Sequence, residues 1–414
     1  MEEFKIIKLP ENKNEETDQK ESKGSKESVE PNKVEIPVDD NYTPLKKRYI
    51  FLLAILLIAV VSLMVIRTIS TFEDYEVEKT WERKDSAESH YMSYNDNLLK
   101  YSADGIFYTK FDGTLIWNYT YDMTNPCIDI CKDYIVVYDK KGTEVDIFSS
   151  KGFIKSIGTT TPVVEAKVAS QGTVAILLQE NAVSYIQMYD KKGSLLVSGE
   201  IHPENKGFPV SMALSSDATR LLLSIINVDD GEISSELVFY DFTSAGKKEE
   251  DNIAASYQYI GTLIPKVDFV KNDKAIAFAD SKIIVFNNNF KATVAKDISV
   301  GDQMKSIFYN DTHFGYICEK AQDSGEVVNV LNVYNLYGFK CVSKEINNSY
   351  EDVSLLDNDI ILLKNENDVA LYNLQGIEKF SYTFDESVYD VIPTTAAKRY
   401  YIIQRDKTEE IYLK

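Results

Sequence analysis

His90, His202 and His313 are the only imidazoles in 414 residues, and they are scattered too widely to build a multi-histidine metal site. A Ser/His/Asp set would have to be assembled entirely by the fold, with no nucleophile elbow to single out its serine. Four cysteines, Cys127, Cys131, Cys318 and Cys341, form no CxxC pair, which removes zinc-ribbon and thioredoxin-type chemistry. Their number permits disulfides, with three possible connectivities, and equally permits free thiols. Cys127 and Cys131, four apart on one strand, would lie too far apart to bond each other. The acidic stretch NVDDGEISSE, residues 227–236, offers Asp229, Asp230 and Glu232 to a cation but lacks the spaced ligands of a calcium loop. It reads as a hairpin turn. Asp39 and Asp40 sit in a polar segment where no dry pocket could tune them for acid–base work. The expectation is a protein that is not an enzyme, with no catalytic residues, no metal and no cofactor.

A net charge of −20 repels phosphate backbones and argues against a nucleic-acid partner. The charge is carried by a chain of three unlike zones. Residues 1–45 are polar, mixed in charge and nearly empty of large apolar side chains, so they are expected to be a disordered tail. Residues 46–70 hold an uncharged run from Tyr49 to Ile66, about 27 Å long as a helix and matched to one bilayer crossing. Lys46, Lys47 and Arg48 precede it, whereas Arg67 alone follows before an acidic stretch. The positive-inside rule then places the tail in the cytoplasm and the remainder outside, with Tyr49 at the interface. No small-residue cleavage site follows the run, which reads as an uncleaved single-pass anchor in the cell membrane.

From residue 72 to 414 the sequence consists of short alternating or apolar runs separated by Asp, Asn, Gly and Lys, the signature of strands. Residues 359–382, DIILLKNENDVALYNLQGIEKFSY, give the unit: strand, turn, strand ending in tyrosine, turn closing on Gly376, strand. Six more copies place the second turn at Gly113, Gly152, Gly193, Gly246, Asn287–Asn289 and Gly338, 38 to 53 residues apart. Each copy is preceded by a further run, such as VSMALS (210–215) or KVDFV (266–270). The spacing predicts an all-β propeller of four-stranded blades. After the seventh copy the last three strands lack a fourth. FEDYEVEKTWER (72–83) can supply it, giving eight blades, or seven if that segment is a free stalk. The pentapeptide YDKKG occurs at 138–142 and 189–193, joining second to third strand in one blade and third to fourth in the next. In both, a glycine free to take positive φ is expected to end the turn.

The run GTLIW, with Gly113 and Trp117 in G-x-x-x-W spacing, and the Y-D-x-x-G turns resemble the quinoprotein-type (PQQ-like) propellers. The whole layout is similar to a family of uncharacterised Gram-positive bacterial membrane proteins, classed as a domain of unknown function. Only one blade carries the docking tryptophan, since Trp81 lies in the closing strand, and no adjacent Cys-Cys pair exists. The resemblance therefore implies fold and topology but neither PQQ nor calcium. GTLIW reads as a blade-packing device. The functional expectation is a membrane-anchored extracytoplasmic scaffold binding a protein or envelope polymer. The alternatives are a ligand-sensing ectodomain coupled to the tail and an envelope enzyme.

Overall fold

The segment Tyr134–Asp139, YIVVYD, is too short for a stable isolated helix and rich in β-branched and aromatic side chains. In the computed structural model it is the second strand of a four-stranded antiparallel sheet, after Pro126–Cys131 and before Glu144–Ser149 and Gly152–Gly158. Its centre is buried on both faces. Val136 and Tyr138 pack with Val163, Ala166 and Val174 of the next sheet. Ile135 and Val137 pack with Leu99, Ile106 and Tyr108 of the previous one. A twisted sheet flanked on both sides by sheets of the same kind is the building rule of a propeller.

The structure describes residues 5–6, 47–83, 89–181, 183–202, 207–229, 231–289, 291–322 and 325–414. Eight such sheets are present, seven of them built from consecutive strands. The eighth takes Val388–Pro393, Arg399–Gln404 and Lys407–Leu413 and adds Tyr75–Glu82 as its outermost strand. Tyr75 pairs with Leu413 and Glu82 with Lys407, so residues 72–83 are part of the ring and not a stalk. The ring is an eight-bladed β-propeller, and blades are numbered here from the sheet that begins at His90. The expected tail falls outside the described residues apart from Lys5–Ile6, which pairs with Val197 and Ser198 on the outer strand of blade 3.

The first strand of each blade is the innermost. These strands are His90–Tyr94, Pro126–Cys131, Val163–Val168, Phe208–Leu214, Lys266–Lys271, Gln303–Tyr309, Asp352–Leu355 and Val388–Pro393. Between blades lie separate apolar clusters, such as that running from Val270 and Ile276 to Tyr334 and Leu336 between blades 5 and 6. At about 25 cal/mol per Å² of apolar surface removed from water, these interfaces are the main source of the ring's stability.

The two YDKKG copies join the strands expected of them, but their turns differ. In the second, Gly193 has φ +83°. In the first, Lys141 takes the left-handed conformation, φ +72°. Gly142 serves closeness instead: a Cβ there would lie 2.2 Å from Asp139 Oδ2. The other turn glycines Gly113, Gly338 and Gly376 have φ between +71° and +83° within third-to-fourth-strand turns. Gly152 opens an outer strand, and Gly246 opens a 3₁₀ turn, Gly246–Lys248.

The second compact unit is residues 9–70, described from Lys47 onward. It contains one helix, Lys47–Ile69. Over Phe51–Ile69 its mean hydropathy is 2.7 and none of that window is buried. By length and composition it is apolar enough to cross a membrane. Lys46 and residues 7–45 before it lie outside the described residues.

Candidate functional site

The histidines are not brought together. His90 lies on the inner strand of blade 1 and stacks on Tyr101 at 5.0 Å. His202 follows the outer strand of blade 3, 3.5 Å from Glu200. His313 begins the second strand of blade 6 against Thr312 Oγ1, where burial lowers its basicity. Asp229 and Glu232 pair at the tip of the blade 4 hairpin, and Asp230 lies outside the described residues. All four cysteines are free thiols. Among the described residues no cluster of three or more His, Cys, Asp or Glu side chains could hold a metal.

Trp117 of GTLIW lies on the outer strand of blade 1 and reaches into blade 2. Its ring stacks on Phe148 at 5.7 Å, and its Nε1 donates to Ser150 O at 3.0 Å. This one side chain ties two blades together.

The chemistry gathers instead where the inner strands face each other. An innermost strand has one edge without a sheet partner, leaving N–H groups to be satisfied by other means. In blades 2 to 4 a polar side chain near mid-strand does this for the next blade. Asp129 Oδ2 accepts from Val168 N at 2.9 Å, Glu165 Oε2 from Met212 N at 2.8 Å, and Ser211 Oγ from Val267 N at 3.2 Å. Two lysines neutralise the carboxylates that result. Lys167 Nζ lies 3.0 Å from Asp129 and 3.7 Å from Glu165, while Lys266 Nζ lies 3.9 Å from Glu165 and 3.8 Å from Asp268. Tyr309 of blade 6 donates its hydroxyl to Asp268 at 2.6 Å. Burial alone would depress the Lys167 ammonium, yet Asp129, Asp268 and Glu165 around it drive it well above the usual lysine range. These groups are consumed by one another, which makes the network a brace across the ring.

Blades 7, 8 and 1 are different. Their inner strands line a cavity of about 620 Å³ with Asp390, Asp352, Lys364, His90, Tyr91 and Tyr389 among its walls. Lys364 pairs with Asp352 at 3.4 Å. Asp390 accepts a bond from the N–H of its own neighbour Val391 at 2.8 Å, and burial pushes its carboxyl up to about 6. Among the described residues the same seam is thinly packed: four buried apolar residues, Tyr91, Leu98, Ile392 and Ile403, form the cluster between blades 8 and 1, against thirteen between blades 5 and 6. A second hollow of about 320 Å³, walled by Trp81, Arg83, Lys100, Phe107 and Phe111, opens at the same seam.

Of the groups on the inner strands only His90 was singled out from the sequence; the acids, lysines and tyrosines were not. The available signal was a lone carboxylate inside an otherwise apolar run, as in CIDIC, KVDFV and VYDVI. On a strand buried on both faces such a residue must have a polar partner.

Solved structures with a similar strand arrangement include the Pan2 WD40 domain of Neurospora crassa, at 10% identity and TM-score 0.42, covering 70% of this chain and 88% of that one. Another is Hsv2 of Kluyveromyces lactis, at 10% identity and TM-score 0.47, covering 71% and 98%. A third is BBS1N, solved in complex with ARL6DN, at 10% identity and TM-score 0.43, covering 83% and 98%. No curated protein matches the chain. Over residues 68–413, from the end of the apolar helix through the last strand, the chain belongs to the family of unknown function DUF5711.

Proposed function

We propose that this protein is a membrane-anchored, extracytoplasmic β-propeller that acts as a non-enzymatic scaffold, holding a protein or envelope polymer outside the cell. The observation that carries the reading is the state of the ring's ionisable core. The acids and lysines of blades 2 to 6 are spent on bracing the inner strands, an arrangement suited to a rigid display surface. The apolar helix five residues before Tyr75 supports the anchor, and the Lys47–Arg48 pair supports a cytoplasmic N-terminus. The quinoprotein-like kinship, supported by Gly113 and Trp117, and the Gram-positive origin, supported by the order of tail, apolar helix and propeller, belong to the same reading. The domain division is 1–45 for the tail, 46–70 for the anchor and 72–414 for the propeller.

This topology puts residues 1–45 across the membrane from the propeller, so Lys5–Ile6 must leave the edge of blade 3 when the helix inserts. With cysteines at Ile6 and Val197, which are register partners, no disulfide should form in oxidised intact membranes. An efficient crosslink would overturn the topology. For the scaffold role, surface crosslinking on intact cells followed by affinity capture should recover a reproducible envelope partner. Repeated failure to enrich any would refute it. A sensing role coupled to the tail is the second reading, favoured by the cavity at blades 7, 8 and 1. It requires that deleting residues 1–45 reproduce the phenotype of losing the whole protein.

A further inference from the structure

The brace is incomplete in one sector. Around blades 2 to 6 every inner-strand carboxylate has a lysine, a hydroxyl or a neighbouring blade's N–H against it. Asp390 stands mid-strand in blade 8, on a run, VYDVIP, that parallels KVDFV in blade 5. Asp268 and Asp390 each accept the N–H of the following residue, at 2.8 Å in both cases. There the likeness stops. Asp268 also receives the Tyr309 hydroxyl and faces Lys266, whereas among the described residues Asp390 has no cation within ion-pair distance and no hydroxyl bonded to it. Lys364, the cation nearest in the cavity wall, is engaged by Asp352 at 3.4 Å. A desolvated carboxylate without a counter-ion is costly, and burial accordingly raises this one's proton affinity.

Where the brace is missing, the cavity opens. Its volume of about 620 Å³ falls in the range of small-molecule sites. Its walls hold the aromatic side chains Tyr91, Tyr101 and Tyr389. Tyr91 and Tyr389 stack across the seam at 5.6 Å. Aromatic faces next to an anionic group favour organic cations, and the Arg83 guanidinium already lies 4.4 Å over the Tyr91 ring from the blade 8 side.

We propose that the cavity between blades 7, 8 and 1 is a binding site for a small organic ammonium ligand, whose charged nitrogen takes at Asp390 the place that lysine and tyrosine fill at Asp268. The site depends only on the ring and stands apart from the scaffold reading, so either can fail without the other.

The test is calorimetric titration of the full-length protein in nanodiscs. The probes are cadaverine and glucosamine, each against its neutral counterpart, 1,5-pentanediol and N-acetylglucosamine. At least one amine should bind tenfold or more tighter than its counterpart, and the two arms distinguish a diamine from an amino sugar. Asp390→Asn keeps an oxygen for the Val391 N–H and should abolish the preference. Lys364→Met removes a competing positive charge and should tighten amine binding severalfold, an effect that general loosening of the ring would not give. Absence of any preference for the charged probes, or a preference unchanged in Asp390→Asn, would overturn the assignment.

Discussion

Asp146 offers the sharpest test of how the blades are packed. It sits on the third strand of blade 2, fully buried on the side facing blade 1, and among the described residues neither carboxylate oxygen has a partner within hydrogen-bond distance. The Tyr121 hydroxyl, also buried, is likewise without one among them. Burial raises the Asp146 carboxyl from 3.8 to about 6, with the nearby Ser156 side chain opposing the rise and Glu144 adding to it. As pH climbs from 3.8 towards 6, the unfolded chain releases this proton and the folded ring does not. The stabilisation is therefore complete below the unfolded value and is lost as pH rises through about 6. The full span is about 3 kcal/mol, of which about 1.4 kcal/mol falls between pH 5 and pH 8. Asp146→Asn abolishes the titration, so its loss of stability over that pH range should be smaller than the wild type's by about 1.4 kcal/mol. Comparing the two proteins cancels the titration of every other carboxylate. Urea unfolding in detergent, followed by the fluorescence of Trp117 against Phe148 in the same interface, reads the difference. If the two proteins share one pH dependence to within about 0.3 kcal/mol, Asp146 is not desolvated and the argument fails.

Other substitutions test the brace and the ring. Lys167→Met leaves Asp129 without its cation and Glu165 with Lys266 alone, and should cost about 3–5 kcal/mol, with Asp129→Asn restoring part of it in the double variant, as measured by urea unfolding. Trp117→Ala removes the stack on Phe148 and the bond to Ser150 and should cost about 2–4 kcal/mol by the same measurement. Gly315→Ala would bring a methyl within 2.3 Å of the Phe308 ring and 2.4 Å of Asn332 O, for a loss of about 1–3 kcal/mol and a lower melting temperature.

What the sequence made legible was whatever repeats. Strand runs of four to eight residues recur in every blade, and tyrosines before turns and glycines after them in most, because every blade solves the same packing problem. Even the closure was readable, since three final strands without a fourth demanded a partner and Tyr75–Glu82 was the free candidate. The channel was not legible. Asp129, Glu165, Asp268 and Asp390 are separated by 36 to more than 100 residues, and their partners are fixed by ring geometry rather than by spacing. The left-handed Lys141 was hidden for another reason. Glycine beside it looked like the residue that needed conformational freedom, whereas it is there to let Asp139 approach.

Closing blade 8 with Tyr75–Glu82 also sets an order of events. That strand is made directly after the apolar helix, yet its partner Lys407–Leu413 is made more than 300 residues later. During synthesis the flank of blade 1 and the edge of the first-made strand must wait uncovered, with Tyr75 lacking the Phe380, Tyr382 and Phe384 rings it will meet. Long-range pairing of this kind is slow and exposes sticky edges. The final strands thus act as a completeness check: a chain cut short anywhere in its last blade leaves an open ring with uncovered strand edges, a natural substrate for chaperones and proteases.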